Sequence, residues 1–88
     1  MKLKKLFLTH SMGDDTMLVP VGAAARKFHG YVNCNPTAAF IVDCLKTDTT
    51  PEKIVDALAQ EYEGDRGRMA ASVAKTLDVL RSIGALEE

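Results

Sequence analysis

The residues of this 88-residue chain best suited to metal chemistry are two histidines and two cysteines. In principle, a zinc site could be assembled from His10, His29, Cys34 and Cys44. Structural zinc sites usually draw their ligands from closely spaced pairs, such as two cysteines separated by about two to four residues. The spacing of these four residues matches none of those paired patterns, so we expect neither a metal ion nor another cofactor.

Cys34 is the best candidate nucleophile, because it directly precedes Asn35-Pro36, a predicted helix start, and a helix N-terminus can lower the pKa of a thiol. No histidine or second cysteine flanks it, and Cys44 is predicted to be a small buried side chain in the same helix. The adjacent carboxylates Asp14 and Asp15 lie in a predicted solvated turn. The sequence contains no phosphate-binding glycine loop and no serine in a nucleophile elbow. We therefore expect that the protein is not itself an enzyme.

Composition is typical of a small folded domain. Hydrophobic residues make up 47% of the chain, which argues against disorder, and the length fits one domain, residues 1–88, with a thin core. The 11 basic and 12 acidic residues leave a net charge of −1, without the basic excess of a typical nucleic-acid binder. The apolar run Leu6-Phe7-Leu8 is too short for a signal peptide or a membrane span. We therefore expect a soluble cytoplasmic protein.

Two N-terminal segments are predicted to pair as a β-hairpin. Residues 3–9 alternate partly between apolar and polar side chains, and residues 16–19 favour a strand after a turn signal at 13–15. Pro20 cannot donate a backbone hydrogen bond, so it should end the second strand. Residues 22–28 are too short a segment to form a stable helix alone and are predicted to be a connection.

A third strand is predicted over residues 29–33, immediately before the first helix. Successive side chains of a strand point to opposite faces. The two faces would carry Tyr31 with Asn33 and Gly30 with Val32. Because this strand is the last one in the predicted sheet, one of its edges should remain free.

Three helices are predicted after the strands. Asn35-Pro36 and Thr50-Pro51 each combine a favoured N-cap with a favoured first helical residue, and Asp65 can cap the third helix. The helices should run from residue 36 to about 45, from 51 to about 62 and from 66 to 83, with Gly84 as a left-handed C-cap. The predicted buried stripes are Thr37, Ile41, Cys44 and Leu45; Ile54, Val55, Leu58, Ala59 and Tyr62; and Met69, Val73, Leu77, Leu80 and Ile83.

Three short N-terminal β-strands followed by three α-helices define an α+β fold of the winged helix-turn-helix type. The free edge of the third strand could accept an extended peptide as an additional strand, without any catalytic residue. The same edge could pair with a second copy of the chain, which would give a homodimer.

A DNA-binding winged helix is the alternative from another functional class, and a purely structural subunit is a third. The recognition helix would be the third helix, which carries Arg66, Arg68, Lys75 and Arg81. Asp65 and Asp78 offset these cations, and the whole chain is slightly acidic. Nucleic acid is therefore not the expected partner.

The arrangement of strands, caps and apolar positions resembles the PqqD family. These are small peptide-recognition domains of ribosomal peptide natural-product pathways, also called RiPP recognition elements. The resemblance covers nearly the whole chain and includes no catalytic signature. The residues that carry it are Leu18-Val19-Pro20, residues 28–32, Asn35-Pro36-Thr37-Ala38-Ala39-Phe40-Ile41, Leu45, residues 50–55, Leu58, Tyr62, Val73, Leu77, Leu80, Gly84 and Leu86.

The resemblance implies a domain that performs no chemistry itself. It would bind the leader segment of a precursor peptide and deliver that peptide to a modifying enzyme, often a radical SAM protein. The leader would add to the third strand and lie in a groove against the third helix. The implied peptide-binding residues are Gly30, Tyr31, Val32 and Asn33 on the strand and Arg66, Met69, Val73, Thr76 and Leu80 on the helix.

Some of these residues have a simpler structural explanation. Met69, Val73 and Leu80 lie on the predicted buried stripe of the third helix, so they are equally suited to the core. Three positions also depart from the family pattern, one of which is Gly67 in the first turn of the third helix, where glycine weakens helix propensity. Ser72 replaces a residue that is acidic in many relatives, and Cys34 replaces a residue that is usually apolar. A standard leader preference therefore does not follow from the resemblance.

Overall fold

The computed structural model of the protein describes residues 1–13, 15–28 and 30–88. Short strands and one short helix occupy the N-terminal part, and three longer helices follow. The elements in chain order are β1 (Lys2–Leu3), β2 (Phe7–Met12), β3 (Asp15–Pro20), α1 (Ala23–Lys27), β4 (Val32–Cys34), α2 (Pro36–Cys44), α3 (Pro51–Glu61), α4 (Arg66–Ser82) and β5 (Leu86–Glu87). This arrangement confirms the predicted α+β class.

The larger sheet has the order β2-β3-β4, with both pairs antiparallel. The hairpin of β2 and β3 confirms the predicted pairing of the first two strands. At the centre of the sheet, Leu18 lies opposite Thr9 on one side and Val32 on the other. The side chain of Leu18 is completely buried, so the inner face of the sheet is anchored in the core at this position.

The predicted first strand, residues 3–9, is divided into two strands that belong to different sheets. β1 pairs with β5, and Leu3 lies opposite Leu86 in that pair. The backbone N–H of Leu3 also donates to the carbonyl oxygen of Leu45 at 2.8 Å. These partners are remote in sequence, which is why the local alternation of side chains did not reveal the break.

The third strand lies later in the chain than the sequence predicts. β4 covers Val32–Cys34, whereas the prediction was residues 29–33. Gly30 has a φ of 111°, which does not fit a β-ladder, so the chain joins the sheet only after this residue. His29 in the predicted strand and Asp14 in the predicted turn lie outside the described residues.

The predicted connection over residues 22–28 contains the short helix α1, so that prediction was wrong. The backbone N–H of Phe28 donates to the carbonyl oxygen of Ala24 at 3.0 Å, and the Ala24 side chain packs against the core. A helix of this length is not stable in isolation. The contact of Ala24 with the core is a tertiary interaction, which the local sequence does not encode.

The three longer helices begin where the sequence predicts. The side chains of Asn35, Thr50 and Asp65 accept hydrogen bonds from backbone N–H groups three residues later, at 2.8, 3.2 and 3.2 Å. Gly84 follows α4 with a φ of 73°, as expected of a left-handed C-cap. Within the described part of the chain, no helix combines the length and hydropathy needed to cross a bilayer.

The core lies between the inner face of the larger sheet and the three longer helices. α4 contributes side chains from one stripe and packs against both α2 and α3. The buried hydrophobic residues are Phe7, Leu18, Ile41, Val42, Leu45, Ile54, Val55, Leu58, Val73, Leu77, Leu80, Ala85 and Leu86. Most of the predicted stripe positions are therefore confirmed.

Two positions assigned to the buried stripe of α3, Ala59 and Tyr62, are exposed instead. α3 ends at Glu61, and Tyr62 has an extended backbone, so helical spacing no longer describes its direction. The Tyr62 ring meets the ring of Phe40 edge-on, with centroids 5.7 Å apart. In α2, Cys44 is only partly buried.

We expect Leu18→Ala to lower the free energy of unfolding by about 2–5 kcal/mol, because it leaves a cavity at a fully buried position of the central strand. Urea unfolding followed by circular dichroism measures the change. Val79→Ala is the control, since Val79 is 41% exposed on α4, and it should change stability by about 0.5 kcal/mol or less. Equal losses in the two variants would contradict this description of the core.

Candidate functional site

β4 has one open edge, because β3 is its only strand partner within the described residues. Residues of an antiparallel pair alternate between exchanging backbone hydrogen bonds with the partner and pointing those groups away from it. The N–H of Val21, just after β3, donates to the carbonyl oxygen of Leu6, on the β2 side. By alternation, Leu18 and Thr16 direct their backbone groups towards β4.

The alternation determines which backbone groups of β4 remain free. Val32 lies opposite Leu18 and Cys34 opposite Thr16, so Val32 and Cys34 bond to β3. Asn33 lies between them and directs both its N–H and its C=O away from the sheet. The open edge therefore offers one donor and one acceptor at Asn33, the pair that an incoming strand needs.

A groove of about 370 Å³ runs beside this edge, between β4, the start of α2 and one face of α4. More of its lining surface is apolar than polar. The lining residues are Val32, Asn33, Cys34 and Asn35; Thr37, Ala38 and Val42 from α2; and Ser72, Lys75, Thr76, Val79 and Leu80 from α4. Backbone hydrogen-bonding groups and an apolar trough thus occur side by side.

The structure brings four of the residues implied by the resemblance into this groove, namely Val32, Asn33, Thr76 and Leu80. Gly30 and Tyr31 precede β4, and the Tyr31 side chain is exposed. The remaining three residues on α4 lie elsewhere. Val73 is 1% exposed and belongs to the core, Met69 lines a neighbouring recess, and Arg66 lines a third recess between α3 and α4.

Ser72, Lys75 and Val79 of α4, together with Ala38 of α2, line the groove but were not selected from the sequence. The three α4 residues follow one another at helical spacing, one step around the helix from the buried stripe. Val79 carried the available signal in the sequence, because it is an apolar residue outside that stripe; in the structure it is 41% exposed. Which flank of the stripe faces β4 depends on the rotation of α4 in the fold.

A second recess, of about 400 Å³, adjoins the groove and shares Thr37 and Ser72 with it. Met69 and Tyr62 provide apolar surface there, and its charged lining residues are of both signs, namely Arg68, Glu63 and Asp65. Because the two depressions share lining residues, they form one extended surface along α4. An occupant longer than β4 could continue from the groove into this recess.

Two of the four basic residues that a DNA-binding function would use form ion pairs within the protein. Arg66 pairs with Asp56, and Arg81 lies 3.3 Å from Asp78 and 3.0 Å from Glu88. Lys75 at the groove forms no ion pair with the described residues. α4, the predicted recognition helix, therefore does not present a continuous positive surface of the kind that binds along a phosphate backbone.

Cys34 does not have the environment of an activated nucleophile. Burial raises the pKa of its thiol, and the expected lowering at the α2 N-terminus is not seen. Burial and, to a lesser degree, the Asp43 carboxylate raise the pKa of Cys44 as well. Across residues 1–13, 15–28 and 30–88, no three His, Cys, Asp or Glu side chains are grouped closely enough to hold a metal ion.

We expect Cys34 to react slowly with a thiol reagent such as iodoacetamide at neutral pH, since a raised pKa leaves less thiolate than in an ordinary cysteine of pKa about 8.5. The rate should increase as the pH approaches and passes the raised pKa. The rate of alkylation is measured on the Cys44→Ala variant, in which Cys34 is the remaining cysteine, and is compared with the rate for glutathione. A Cys34 that reacts faster than glutathione at pH 7 would contradict the assignment.

The family model described as coenzyme PQQ synthesis protein D (PqqD) matches residues 16–86. The matched region includes all of β3 except Asp15, together with β4 and the three longer helices, and therefore the whole groove. Among curated proteins, none has a sequence that matches this chain significantly.

Two solved structures have a similar fold. One is TbiB1 in complex with the TbiA(beta) leader peptide, with a TM-score of 0.79 and 24% sequence identity over 99% of this chain and 95% of that one. The other is lasso peptide synthetase B1 complexed with the leader peptide, with a TM-score of 0.76 and 22% identity over 99% and 96% of the two chains. At this identity, the similarity supports the fold.

Proposed function

This chain belongs to the PqqD family, and we propose that it binds the leader segment of a ribosomally made precursor peptide and presents the peptide to a modifying enzyme. The single observation that carries the proposal is the open edge of β4, which has β3 as its only strand partner among the described residues and lies beside the groove between β4 and α4. Each of the two similar structures has a leader peptide bound, which supports the same assignment.

The leader would bind as a fourth strand of the larger sheet. Asn33 would donate its N–H to the leader and accept a hydrogen bond on its C=O, while Val32 and Cys34 keep their bonds to β3. Backbone bonds of this kind supply affinity without regard to sequence. Selectivity must then come from the groove.

The pleat of the added strand determines which leader side chains enter the groove. Val32 and Cys34 direct their side chains towards the core, whereas Asn33 is exposed on the opposite face. Leader residues opposite Val32 and Cys34 would therefore point inwards, two positions apart. Val79, which is 41% exposed, provides apolar surface in that trough, so we propose that these two leader positions carry apolar side chains.

Lys75 is the only charged residue among those that line the groove. It is exposed and forms no ion pair with the described residues, so it is available to an acidic side chain on the leader. An Asp or Glu of the leader, next to its inward-facing positions, would form an ion pair with the Lys75 ammonium group. We propose that this charge helps to set the register of the bound peptide.

The modification itself belongs to a partner enzyme in this proposal. The groove contains no activated nucleophile, since burial raises the pKa of Cys34, and it contains no carboxylate pair. The resemblance to peptide-recognition domains favours a radical SAM enzyme as that partner. The setting would be the cytoplasm, where the precursor peptide is synthesised.

Asn33→Pro should weaken leader binding by about tenfold or more, because proline removes the N–H that the leader needs and crowds its approach. The fold should survive, since that N–H points away from β3. Isothermal titration with the leader of the precursor peptide encoded nearest to this gene measures the affinity.

Asn33→Ala is the matched control for this experiment, because it changes the same side chain and keeps the backbone donor. It should bind with nearly the affinity of the unmodified protein. Circular dichroism establishes that both variants are folded. If Asn33→Pro is folded and binds the leader as well as Asn33→Ala does, strand addition at this edge is wrong.

Lys75→Glu should reduce the affinity for a leader with an acidic residue by about two- to fivefold, as expected of one exposed ion pair. If the acidic residue of the leader is replaced by lysine, the altered leader should bind the Lys75→Glu variant more tightly than the original leader does. It should not bind the unmodified protein more tightly. Lys53→Glu, which makes the same charge change outside the groove, should have little effect. Loss of affinity in both charge variants would indicate a general field effect.

Salt dependence separates this proposal from the DNA-binding alternative. Leader affinity should change only modestly between low and physiological salt, because backbone hydrogen bonds and apolar contacts provide most of it. Duplex DNA should show no tight binding at either salt concentration. Strong DNA binding that falls steeply with salt, without leader binding, would favour the alternative.

A further inference from the structure

We infer that β2 is a second interaction edge, which pairs with β2 of another copy of this chain about a two-fold axis at His10. The larger sheet has two edge strands, and β2 lies at the opposite edge from β4. Among the described elements, β2 makes extensive contacts with β3 alone. It also has six residues, whereas β4 has three.

β2 lacks the features that usually protect an exposed strand edge. Natural edge strands are commonly blocked by charged side chains, proline or a covering element. Phe7–Met12 contains no lysine, arginine, carboxylate or proline. Its outer face instead carries Leu8 and Met12, which are 54% and 62% exposed. An edge of this kind is suited to another strand.

The backbone alternation determines the register of such a pair. Leu6 directs its carbonyl towards the β3 side, so in β2 the residues Thr9 and Ser11 point their N–H and C=O groups to the open side. A two-fold pair must match outward-pointing residues with each other. Centring the axis on His10 does so, because Thr9 of each copy then lies opposite Ser11 of the other.

The same register matches the exposed side chains. Opposed residues of an antiparallel pair share one face of the sheet. Leu8 of each copy therefore lies against Met12 of the other, and the two His10 side chains lie opposite each other between these apolar pairs. The two most exposed apolar side chains of β2 would thus cover one another.

Charges at the two ends of β2 are complementary in this arrangement. The exposed Lys4 and Lys5 precede the strand, and the exposed Asp15 follows it across the hairpin. Antiparallel pairing brings the basic end of one β2 beside the hairpin end of the other. The product is a continuous six-stranded sheet in which both β4 edges remain free at the two outer ends.

A cysteine at position 10 tests the register directly. Opposed residues that do not exchange hydrogen bonds have Cα atoms about 4.5 Å apart, which is within the range of a disulfide. In a Cys34→Ala, Cys44→Ala background, we expect His10→Cys to form a disulfide-linked dimer under mild oxidation. The matched control is Leu8→Cys, whose two copies would lie far apart and should give little dimer.

Sedimentation velocity across a concentration series tests the association itself. The unmodified chain should shift from monomer to dimer with increasing concentration, and His10→Lys should remain monomeric, because it places two positive charges opposite each other. The leader affinity of His10→Lys should be unchanged, since β4 is remote from β2 in the sheet. This readout separates failure of the dimer from failure of peptide binding.

Two outcomes would overturn the inference. One is an unmodified chain that stays monomeric at every concentration. The other is a dimer in which His10→Cys and Leu8→Cys crosslink equally well, or which His10→Lys does not weaken. In either case the outer face of β2 would not form a two-fold interface in this register.

Discussion

The pairing of β4 with β3 is the constraint on which the site depends. β4 is three residues long, and the alternation of the ladder leaves the backbone of a single residue, Asn33, facing outwards. α2 begins at Pro36, only two residues after the strand. The Asn35 side chain caps that helix through the N–H of Ala38 at 2.8 Å. The open edge is therefore held by the sheet on one side and by a capped helix on the other.

The small core and the groove share one element, α4. One stripe of this helix buries Val73, Leu77 and Leu80, and these side chains fix its rotation against α2 and α3. The same rotation turns Lys75 and Val79 towards β4. A chain of this size has little apolar surface to spare for a separate binding site. Using two adjacent stripes of one helix allows the core to position the groove without additional residues.

The sequence predicted those parts of the molecule that local signals determine. Three helix starts were predicted from their N-cap residues. Each cap is present in the structure, at Asn35, Thr50 and Asp65. Predictions failed where distant residues decide the outcome. The bounds of β4 depend on its register with β3, and the division of the first strand depends on β5.

The candidate site residues also divide into those that the order of the elements predicts and those that depend on packing between distant parts of the chain. The open edge could be predicted from the order of the elements, and Asn33 lies on that edge in the structure. The groove side of α4 could not, because Val73 and Val79 are both apolar residues at helical spacing and differ only in which neighbour they face. Resemblance to a family supplied a function class, whereas the identity of the groove residues required the packed structure.

Amide hydrogen exchange at Asn33, measured by NMR with and without the leader peptide, tests the central claim most directly. In the free protein this N–H faces solvent and should exchange fast, while the N–H of Val32, bonded to β3, should be protected already. Saturating leader should slow exchange at Asn33 strongly and at Val32 little. Leader binding that leaves Asn33 exchange unchanged would show that the peptide does not add to the β4 edge, and would contradict the account.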